Sequence, residues 1–304
     1  MPDHNRRKSD QVGTLIIIGG HEDKDGDREI LKEVVRRVGK GKLVVTTVAS
    51  HEPEGYFEMY QEVFHDLGLK TVLGLDVNTR ADAVTEQTQQ ILADAAGIFF
   101  TGGDQLRITS QIGDTPMETR IREIFESGGV VCGTSAGASV MCETMMIEGK
   151  GGESHRVGDL RMAPGLGFIR GAIIDQHFAE RGRMGRLLGA VAQNPRVLGI
   201  GIDEDTAIVV EDLRYCTVLG NGAVYVVDGH GVTHSNIAEG GDDRILSIYD
   251  VKLHVLSKGD AFDLQERRPL DACTLQRTPE KKSSGQTAKK SNPIPEISAE
   301  PQTP

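Results

Sequence analysis

The sequence predicts an α/β fold in which a doubly wound, mostly parallel sheet carries helices on both of its faces. Two observations indicate this fold. Between residues 14 and 142, short runs of β-branched and other apolar residues alternate with helical patterns at the spacing of strand–helix–strand units. After residue 196 strands follow one another closely, which we interpret as a C-terminal antiparallel extension of the same domain.

Each element is assigned from its apolar pattern. The predicted parallel strands are short apolar runs, namely Thr14–Ile18, Leu43–Ala49, Thr71–Leu75, Gly97–Thr101, Val130–Cys132 and a strand that begins at Ala172. The predicted helices have amphipathic or small-residue patterns, namely Arg28–Val38, Glu54–Leu67, Ala81–Ala95 with Thr79 as its N-cap, and Ala138–Cys142. The strands of the extension are Val197–Gly201, Ala207–Val210, Ala223–Val227, Arg244–Tyr249 and Val251–Leu256.

The composition argues against several classes of protein. The 304 residues carry a net charge of −11, whereas a sequence-independent nucleic-acid binder needs a basic face. No apolar run reaches the ~18 residues of a transmembrane helix, and the N-terminal MPDHNRRKSD lacks the apolar core of a secretory signal. The four cysteines lack the spacing of metal ligands, which favours reduced thiols. We therefore expect a cytoplasmic protein with no cofactor, no metal, and no nucleic-acid or membrane partner.

The two ends of the chain differ in composition from its middle. Residues 1–11 are polar, and residues 273–304 are rich in Lys, Ser and Pro with few large apolar side chains. Such segments cannot bury enough surface to offset the entropy lost on ordering. We expect a disordered lead-in at 1–11, a single α/β domain at 12–272 and a disordered tail at 273–304. A homodimer is compatible with the sequence, which does not fix the oligomeric state.

The most informative stretch is GTSAG at residues 133–137, which lies between the apolar strand Val130–Cys132 and a small-residue helix. A serine at a sharp strand-to-helix turn is the geometry of a nucleophile elbow, in which the two glycines supply clearance. We therefore predict Ser135 as the nucleophile of a serine hydrolase. The amide of Ala136 becomes an oxyanion donor at the helix N-terminus. Cys132 is the rival nucleophile, but its apolar surroundings indicate an inert thiol.

A second glycine turn, TGGDQ at residues 101–105, ends the preceding strand. Two glycines at the carboxyl end of a parallel strand let the backbone approach a ligand closely. Gly103 or Asp104 is therefore a candidate for the second oxyanion amide, and Gln105 is placed to reach substrate. The alternative is a plain turn in which Asp104 caps the following helix.

A serine nucleophile needs a general base, and His177 is the best placed of the nine histidines. It ends the strand that begins at Ala172, and open α/β sheets place their sites at such strand ends. His155, in a glycine-rich loop, is the alternative base. For the acid that orients the base we choose Glu204, with Asp175 as its rival. The order Ser, His, Glu argues against a lipase-type hydrolase, in which the acid precedes the histidine.

Three arginines, Arg181, Arg183 and Arg186, follow His177 directly. Guanidinium groups bind carboxylates bidentately, and cations at the start of a helix oppose its dipole, so a functional reason for them is favoured. We interpret them as a carboxylate-recognition cluster. The alternative is a basic first helical turn that is exposed to solvent, and a phosphate site is disfavoured because the sequence has no P-loop.

Four motifs together resemble the cyanophycinases, serine exopeptidases of the family that also includes aspartyl dipeptidase. They are GTSAGA at 133–138, APGLG at 163–167, DQHFxxRxRxxRL at 175–187 and GIDE at 201–204, and the resemblance covers roughly residues 12–272. It implies a flavodoxin-like sheet related to class I glutamine amidotransferases. It also implies a catalytic triad, whose members are Ser135, His177 and Glu204.

The resemblance further implies a substrate. Cyanophycin is a polyaspartate whose side-chain carboxyls each carry an arginine through its α-amino group, and its hydrolysis releases β-Asp-Arg dipeptides. The residues that match substrate-pocket positions of the family are Gln105, Asp175, Gln176, Arg181, Arg183 and Arg186. The competing interpretations are an α-aspartyl dipeptidase with the same triad and a catalytically silent binding module on this fold.

Overall fold

The computed structural model describes residues 12–51, 53–149, 156–157, 160–239 and 244–271. The predicted lead-in at 1–11 and the predicted tail at 273–304 lie outside these residues. The alternative base, His155, also lies outside them. These three predictions therefore stay predictions.

Seventeen strands and seven α-helices occur in the described residues. In chain order, the strands are β1 Thr14–Ile18, β2 Lys42–Thr46, β3 Thr71–Leu75, β4 Ala95–Phe100, β5 Val130–Thr134, β6 Thr144–Glu148, β7 Arg161–Pro164, β8 Ala172–Gln176, β9 Leu198–Ile202, β10 Thr206–Glu211, β11 Tyr215–Gly220, β12 Val224–Asp228, β13 His234–Ser235, β14 Ile248–Tyr249, β15 Lys252–Leu256, β16 Ala261–Asp263 and β17 Arg268–Leu270. The helices are α1 Glu29–Val38, α2 Tyr56–Asp66, α3 Glu86–Leu92, α4 Gln105–Ile112, α5 Pro116–Glu126, α6 Ala136–Ser139 and α7 Met184–Gln193.

The largest sheet has nine strands in the order β17-β16-β11-β10-β1-β5-β4-β2-β3. Its pairings from β1 to β3 are parallel, as the intervening helical crossovers require, and those from β1 through β10 to β17 are antiparallel. The chain therefore has a mixed α/β fold around a large sheet, as predicted. The parallel strands all present their carboxyl ends at one edge, which is where the candidate site lies.

Helices pack on both faces of this sheet, which explains why its central strands are apolar throughout. Successive residues of a strand point to opposite faces. Ile16 and Ile18 of β1 belong to one buried cluster with residues of α1 and α2. Leu15 and Ile17 belong to another cluster with residues of α4, α5 and α6. Strands buried on both faces need apolar side chains at every position.

A separate sheet contains β8, β9, β12 and β15, in the order β15-β12-β9-β8. The extension predicted after residue 196 is therefore divided between two sheets: β10 extends the main sheet, whereas the strands predicted at 197–201, 223–227 and 251–256 form this second sheet with β8. Strand β9 pairs with β8 in parallel, and β12 and β15 are antiparallel. A Cβ at Gly199 would lie 2.9 Å from the Leu187 side chain, and one at Gly201 would lie 2.5 Å from the Phe178 ring. Close packing against this sheet therefore depends on the two glycines. Apolar periodicity alone does not specify such a choice of partner strand.

The helix predicted over 81–95 is interrupted. A short 3₁₀ helix covers Asp82–Val84, and α3 begins only after Thr85, whose backbone is extended. Thr85, and not Thr79, caps α3, because the Thr85 hydroxyl accepts a hydrogen bond from the Thr88 amide at 3.1 Å. Thr79 instead donates hydrogen bonds to the Asp82 carboxylate from its amide and its hydroxyl. The helical signal was correct, but its start was placed one turn too early.

Other predicted elements also differ in extent; for example, the strand predicted over 43–49 is β2, which covers Lys42–Thr46. The strand predicted over 244–249 is limited to β14, and the helix predicted over 138–142 is α6, which begins at Ala136. None of the described helices combines the length and the apolar composition needed to cross a membrane.

Candidate active site

Ser135 lies at the sharp turn between β5 and α6. Its backbone is strained, with φ at 54° and ψ at −110°, and its amide donates to the carbonyl of Ile18 at 3.1 Å. Glycines flank it because the backbone passes too close to other chain segments for a side chain. A Cβ at Gly133 would lie 2.2 Å from the carbonyl oxygen of Gly137, and one at Gly137 would lie 2.5 Å from that of Phe100. The turn therefore has the geometry of a nucleophile elbow.

The Ser135 hydroxyl begins a chain of hydrogen-bonded side chains. Its Oγ lies 3.0 Å from Nε2 of His177, and Nδ1 of His177 lies 2.6 Å from Oε1 of Glu204. Ser135 follows β5 of the main sheet, whereas His177 and Glu204 follow β8 and β9 of the second sheet. The site therefore forms where the carboxyl ends of parallel strands from two sheets meet, and the structure brings together the three residues predicted as the triad.

The environment keeps His177 ready to accept a proton. Burial lowers the pKa of His177, and the nearby Arg181 cation lowers it further, while the hydrogen bond with Glu204 opposes both effects. Burial acts to raise the pKa of Glu204, but its hydrogen bond with His177 and the proximity of His21 outweigh this, and the pKa lies below its ordinary value. The pair is thus a neutral imidazole beside an ionised carboxylate near neutral pH.

His21 is a site residue that the sequence patterns did not indicate. Its Nδ1 lies 3.0 Å from Oε2 of Glu204, and its ring meets the His177 ring edge-on with centroids 5.1 Å apart. His21 comes two residues after the glycine that follows β1, so the strand-end argument used for His177 also applied to it. His21, His177 and Glu204 are donor types that bind zinc, and their atoms lie within 4.8 Å of one another. A metal there would compete with the His177–Glu204 hydrogen bond, and the expectation of no metal stays a prediction.

Two backbone amides are placed for an oxyanion near Ser135. Ala136 is the first residue of α6, so its amide has no acceptor within the helix. Gly103 lines the same cavity as Ser135, and its positive φ of 146° allows the close approach of Ala49. The amide of Asp104 donates to the Ala49 carbonyl at 2.8 Å, and its carboxylate caps α4. Of the two amides considered for the second donor, that of Gly103 is therefore the better placed.

Four of the predicted substrate residues form a buried ionic network: Asp175, Gln176, Arg183 and Arg186. Nε of Arg186 lies 2.6 Å from Asp175 Oδ2, Nη2 of Arg186 contacts Oδ1, and Nη1 of Arg183 lies 3.2 Å from Oδ1. Arg183 also donates to the side-chain oxygen of Gln176 at 2.9 Å. Burial lowers the pKa of Arg183 to about 10. Because both carboxylate oxygens of Asp175 bind arginines, Asp175 is poorly suited to the role of rival acid.

The remaining two predicted substrate residues lie in different surroundings. Arg181 is exposed and lines the cavity that contains Ser135 and His177. Gln105 is the first residue of α4, and its side-chain amide donates to the Met146 carbonyl at 2.8 Å. Arg181 is therefore the predicted substrate residue that lines the same cavity as the nucleophile.

The cavity beside Ser135 has a volume of about 470 Å³. Its lining includes residues that the sequence analysis did not single out, namely His21, Glu22, Lys24, Glu54, Tyr56 and Tyr60. Glu22 is 3% exposed and accepts hydrogen bonds from the hydroxyls of Thr134, at 2.5 Å, and Tyr60. This buried carboxylate therefore links Thr134, the residue before the nucleophile, to Tyr60 of α2. The polar run His-Glu-Asp-Lys, which follows β1 and its two glycines, is the sequence feature that could have indicated these residues.

The cysteines of the described residues do not suit a catalytic role. Cys132, Cys142 and Cys216 are free and buried. Burial raises the pKa of the Cys132 thiol far above its ordinary value, which disfavours the thiolate needed for nucleophilic attack. This weighs against Cys132 as the nucleophile.

Comparison with known proteins agrees with the motifs. A family model described as peptidase family S51 matches residues 15–217. The chain belongs to peptidase family S51. It is thus a serine-type peptidase, and the predicted family membership is confirmed.

Its relatives in the family are similar over most of their length. The chain is 42% identical to the cyanophycinase of Trichormus variabilis over 261 residues, which are 85% of this chain and 88% of the relative. It is 37% identical to that of Synechococcus elongatus over 270 residues, with coverage of 88% and 84%. It is 38% identical to that of Geminocystis herdmanii over 260 residues, with coverage of 84% and 96%.

A solved structure supports the fold. The crystal structure of a peptidase from an acI-B1 actinobacterium superimposes with a TM-score of 0.62 at 22% identity, and it covers 84% of this chain and 98% of that one. At this identity the similarity extends to the fold.

Proposed function

We propose that this S51 peptidase hydrolyses the polyaspartate backbone of cyanophycin and releases β-Asp-Arg dipeptides through an acyl-enzyme on Ser135. The observation that carries the proposal is the hydrogen-bonded chain from Ser135 through His177 to Glu204, open to a cavity of about 470 Å³. The relatives named cyanophycinases, at 37 to 42% identity, supply the choice of substrate.

The proposed reaction is acyl transfer to serine and then to water. His177 Nε2 takes the proton of the Ser135 hydroxyl as Oγ attacks the scissile amide carbonyl. The imidazolium, held through Nδ1 by Glu204, then protonates the leaving amine as the C–N bond breaks. Water, deprotonated by His177, then attacks the ester carbonyl. The imidazolium returns a proton to Oγ of Ser135 as the acyl C–O bond breaks, and the carboxylate product leaves. The lowered pKa of His177 supports its role as the base that starts each step.

The amides of Ala136 and Gly103 are proposed to bind the oxyanion of the tetrahedral intermediates. Both belong to backbone that is already fixed, by α6 and by the close approach to Ala49, so no reorganisation is needed as charge develops. Each donor of this kind contributes about 3 kcal/mol to transition-state stabilisation.

We propose two kinds of role for the polar residues around β8. Arg181, exposed in the cavity, binds a free carboxylate of the substrate. The buried Asp175 neutralises and positions Arg183 and Arg186, and Arg183 binds Gln176, so that the network fixes the segment after β8 that carries His177 and Arg181. We propose that Gln105 also binds substrate. Every cyanophycin unit carries one carboxylate and one guanidinium, which explains a pocket with both arginines and carboxylates.

Other properties expected from the sequence are proposed here as well. The parallel strands and the helices on both faces support a doubly wound, flavodoxin-like arrangement within one catalytic domain at 12–272. The unpaired, buried cysteines support a reducing compartment, and we propose the cytoplasm. We propose that neither nucleic acid nor a membrane is a partner, and that the enzyme works without a metal or another cofactor. A homodimer is to be tested by measuring molecular mass in solution.

The experiment is turnover of insoluble cyanophycin by the purified protein, with product masses measured. The proposal predicts β-Asp-Arg dipeptides from the wild type and none from Ser135→Ala. Cleavage of free α-aspartyl dipeptides with no release from cyanophycin would overturn it in favour of the dipeptidase. Absence of hydrolysis with both substrates would favour the silent binding module.

A further inference from the structure

The cavity that contains Ser135 and Arg181 is also lined by side chains from the segments that follow β1 and β2. We propose that Lys24, Glu54 and Tyr56 form a second subsite for an arginine-bearing unit of the substrate. Lys24 binds the free carboxylate of the arginine, and Glu54 with Tyr56 binds its guanidinium. This inference rests on the proposed function, since it assumes that the substrate carries arginine on successive units.

Lys24 is held in place for binding an anion. Its Nζ lies 3.2 Å from the Glu22 carboxylate and 3.2 Å from the Glu22 carbonyl oxygen, and it lies 5.2 Å from the centre of the Tyr60 ring. The Lys24 side chain is 21% exposed and lines the cavity. An ammonium group has three N–H donors. One donor binds the Glu22 carbonyl oxygen and the ammonium group pairs with the Glu22 carboxylate, so a further donor is available to a substrate carboxylate.

Glu54 and Tyr56 have the chemistry of a guanidinium site. Both line the cavity at the start of α2, and both are exposed. Within the described part of the chain Glu54 has no ion-pair partner. Tyr56 is 44% exposed, whereas Tyr60, one turn later, is 3% exposed and packs in the core. A carboxylate accepts two hydrogen bonds from a guanidinium, and an aromatic face stacks on it.

The two sets of charged residues suit neighbouring units of one polymer. Arg181 enters the cavity from the segment after β8, and Lys24, Glu54 and Tyr56 enter from the segments after β1 and β2, with Ser135 lining the same space. A peptidase holds substrate on both sides of the bond that it breaks. An ammonium, a carboxylate and an exposed aromatic ring together match a unit that has one carboxylate and one guanidinium.

The test compares soluble two-unit substrates in which citrulline, the neutral isostere, replaces arginine at one unit or at the other. Wild-type turnover of cyanophycin is measured first and decides the proposed function by itself. For the inference, kcat and KM are measured for the wild type, Glu54→Gln, Tyr56→Leu and Tyr56→Phe. Glu58→Gln is the matched control, because Glu58 is an exposed carboxylate in the first turn of α2, four residues after Glu54, and does not line the cavity.

We expect Glu54→Gln to raise KM about tenfold, the effect of losing a hydrogen bond between charged groups, with kcat little changed. The same variant loses its preference for arginine over citrulline at one unit and keeps it at the other. Tyr56→Leu raises KM, whereas Tyr56→Phe keeps the ring and resembles the wild type. A Glu54→Gln enzyme that discriminates citrulline as the wild type does, or that behaves as Glu58→Gln does, overturns the inference while leaving the proposed function intact. Failure of the wild type to cleave cyanophycin overturns both.

Discussion

Oε2 of Glu204 lies 3.0 Å from Nδ1 of His21. The other carboxylate oxygen of Glu204 binds His177, so both oxygens are engaged by histidine rings. His21 therefore fixes the rotation of the carboxylate that orients the proposed base. The side chain of His21 is itself 73% exposed, so a change there removes this contact with little loss of packing.

We expect His21→Ala to lower kcat several-fold with little change in KM, because the carboxylate loses one of its two anchors. His21→Asn is the matched control, since its side-chain amide places a donor close to the position of Nδ1. Steady-state kinetics of the two variants give the answer. Equal impairment of His21→Asn and His21→Ala, or wild-type kinetics for His21→Ala, would show that the contact does not act through Glu204.

The pH dependence follows from the lowered pKa of His177, which burial and Arg181 cause. The base works only when neutral, so activity is full above its pKa and falls as the pH drops through it. We expect the acid limb of kcat/KM to lie below pH ~6.5, the ordinary value for histidine. Measurement of kcat/KM against pH tests this, and an acid limb above that value contradicts it.

Removal of the Arg181 charge tests the cause of that shift. Arg181 lowers the pKa of His177, so Arg181→Gln should raise it and move the acid limb to higher pH. Arg36→Gln is the control, because Arg36 lies on the exposed face of α1 and pairs with Glu33. An acid limb that stays in place in Arg181→Gln would show that the Arg181 charge does not lower the pKa of His177.

The buried pairing of Asp175 with Arg183 and Arg186 should be essential for stability. Asp175→Asn leaves two buried guanidiniums without a countercharge, and such a loss costs about 3–5 kcal/mol in free energy of unfolding. Glu211→Gln removes an exposed ion pair with Arg37 and should change this free energy by less than about 1 kcal/mol. Urea unfolding of the two variants distinguishes them, and a stable Asp175→Asn protein would mean that the network is not a folding requirement.

Metal removal should have no effect on the proposed reaction, because serine, histidine and glutamate supply the nucleophile, the base and its orientation. We expect treatment with a chelator to leave kcat/KM unchanged. Loss of activity that returns on addition of zinc would indicate instead that His21, His177 and Glu204 hold a metal during turnover.

The sequence predicted those features that depend on local backbone chemistry. Ser135 was found because a strand, a glycine-flanked serine and a small-residue helix occur in succession. His177 and Glu204 were found because polar residues directly after buried strands lie at the edge where sites form. The local sequence determines where a strand ends, so these residues could be predicted without knowledge of the packing.

The features that depend on packing between distant segments could not be predicted from the sequence. Nothing in the apolar pattern of β9 shows that it leaves the main sheet to pair with β8. The arginines near His177 were expected to face substrate, but Arg183 and Arg186 each donate to Asp175. Asp175 and these two arginines are close together in the sequence. Only the tertiary structure shows that all three are buried and pair with one another.

The most direct test of the central claim, that Ser135 is the nucleophile, is hydrolysis of cyanophycin by Ser135→Ala alongside Cys132→Ala. Cys132 is the rival nucleophile three residues away in β5, and its thiol is fully buried. The account predicts that Ser135→Ala loses at least about 10⁴-fold in kcat while folding normally, and that Cys132→Ala keeps near wild-type kcat. Retention of activity by Ser135→Ala, or its loss in a folded Cys132→Ala protein, would contradict the account.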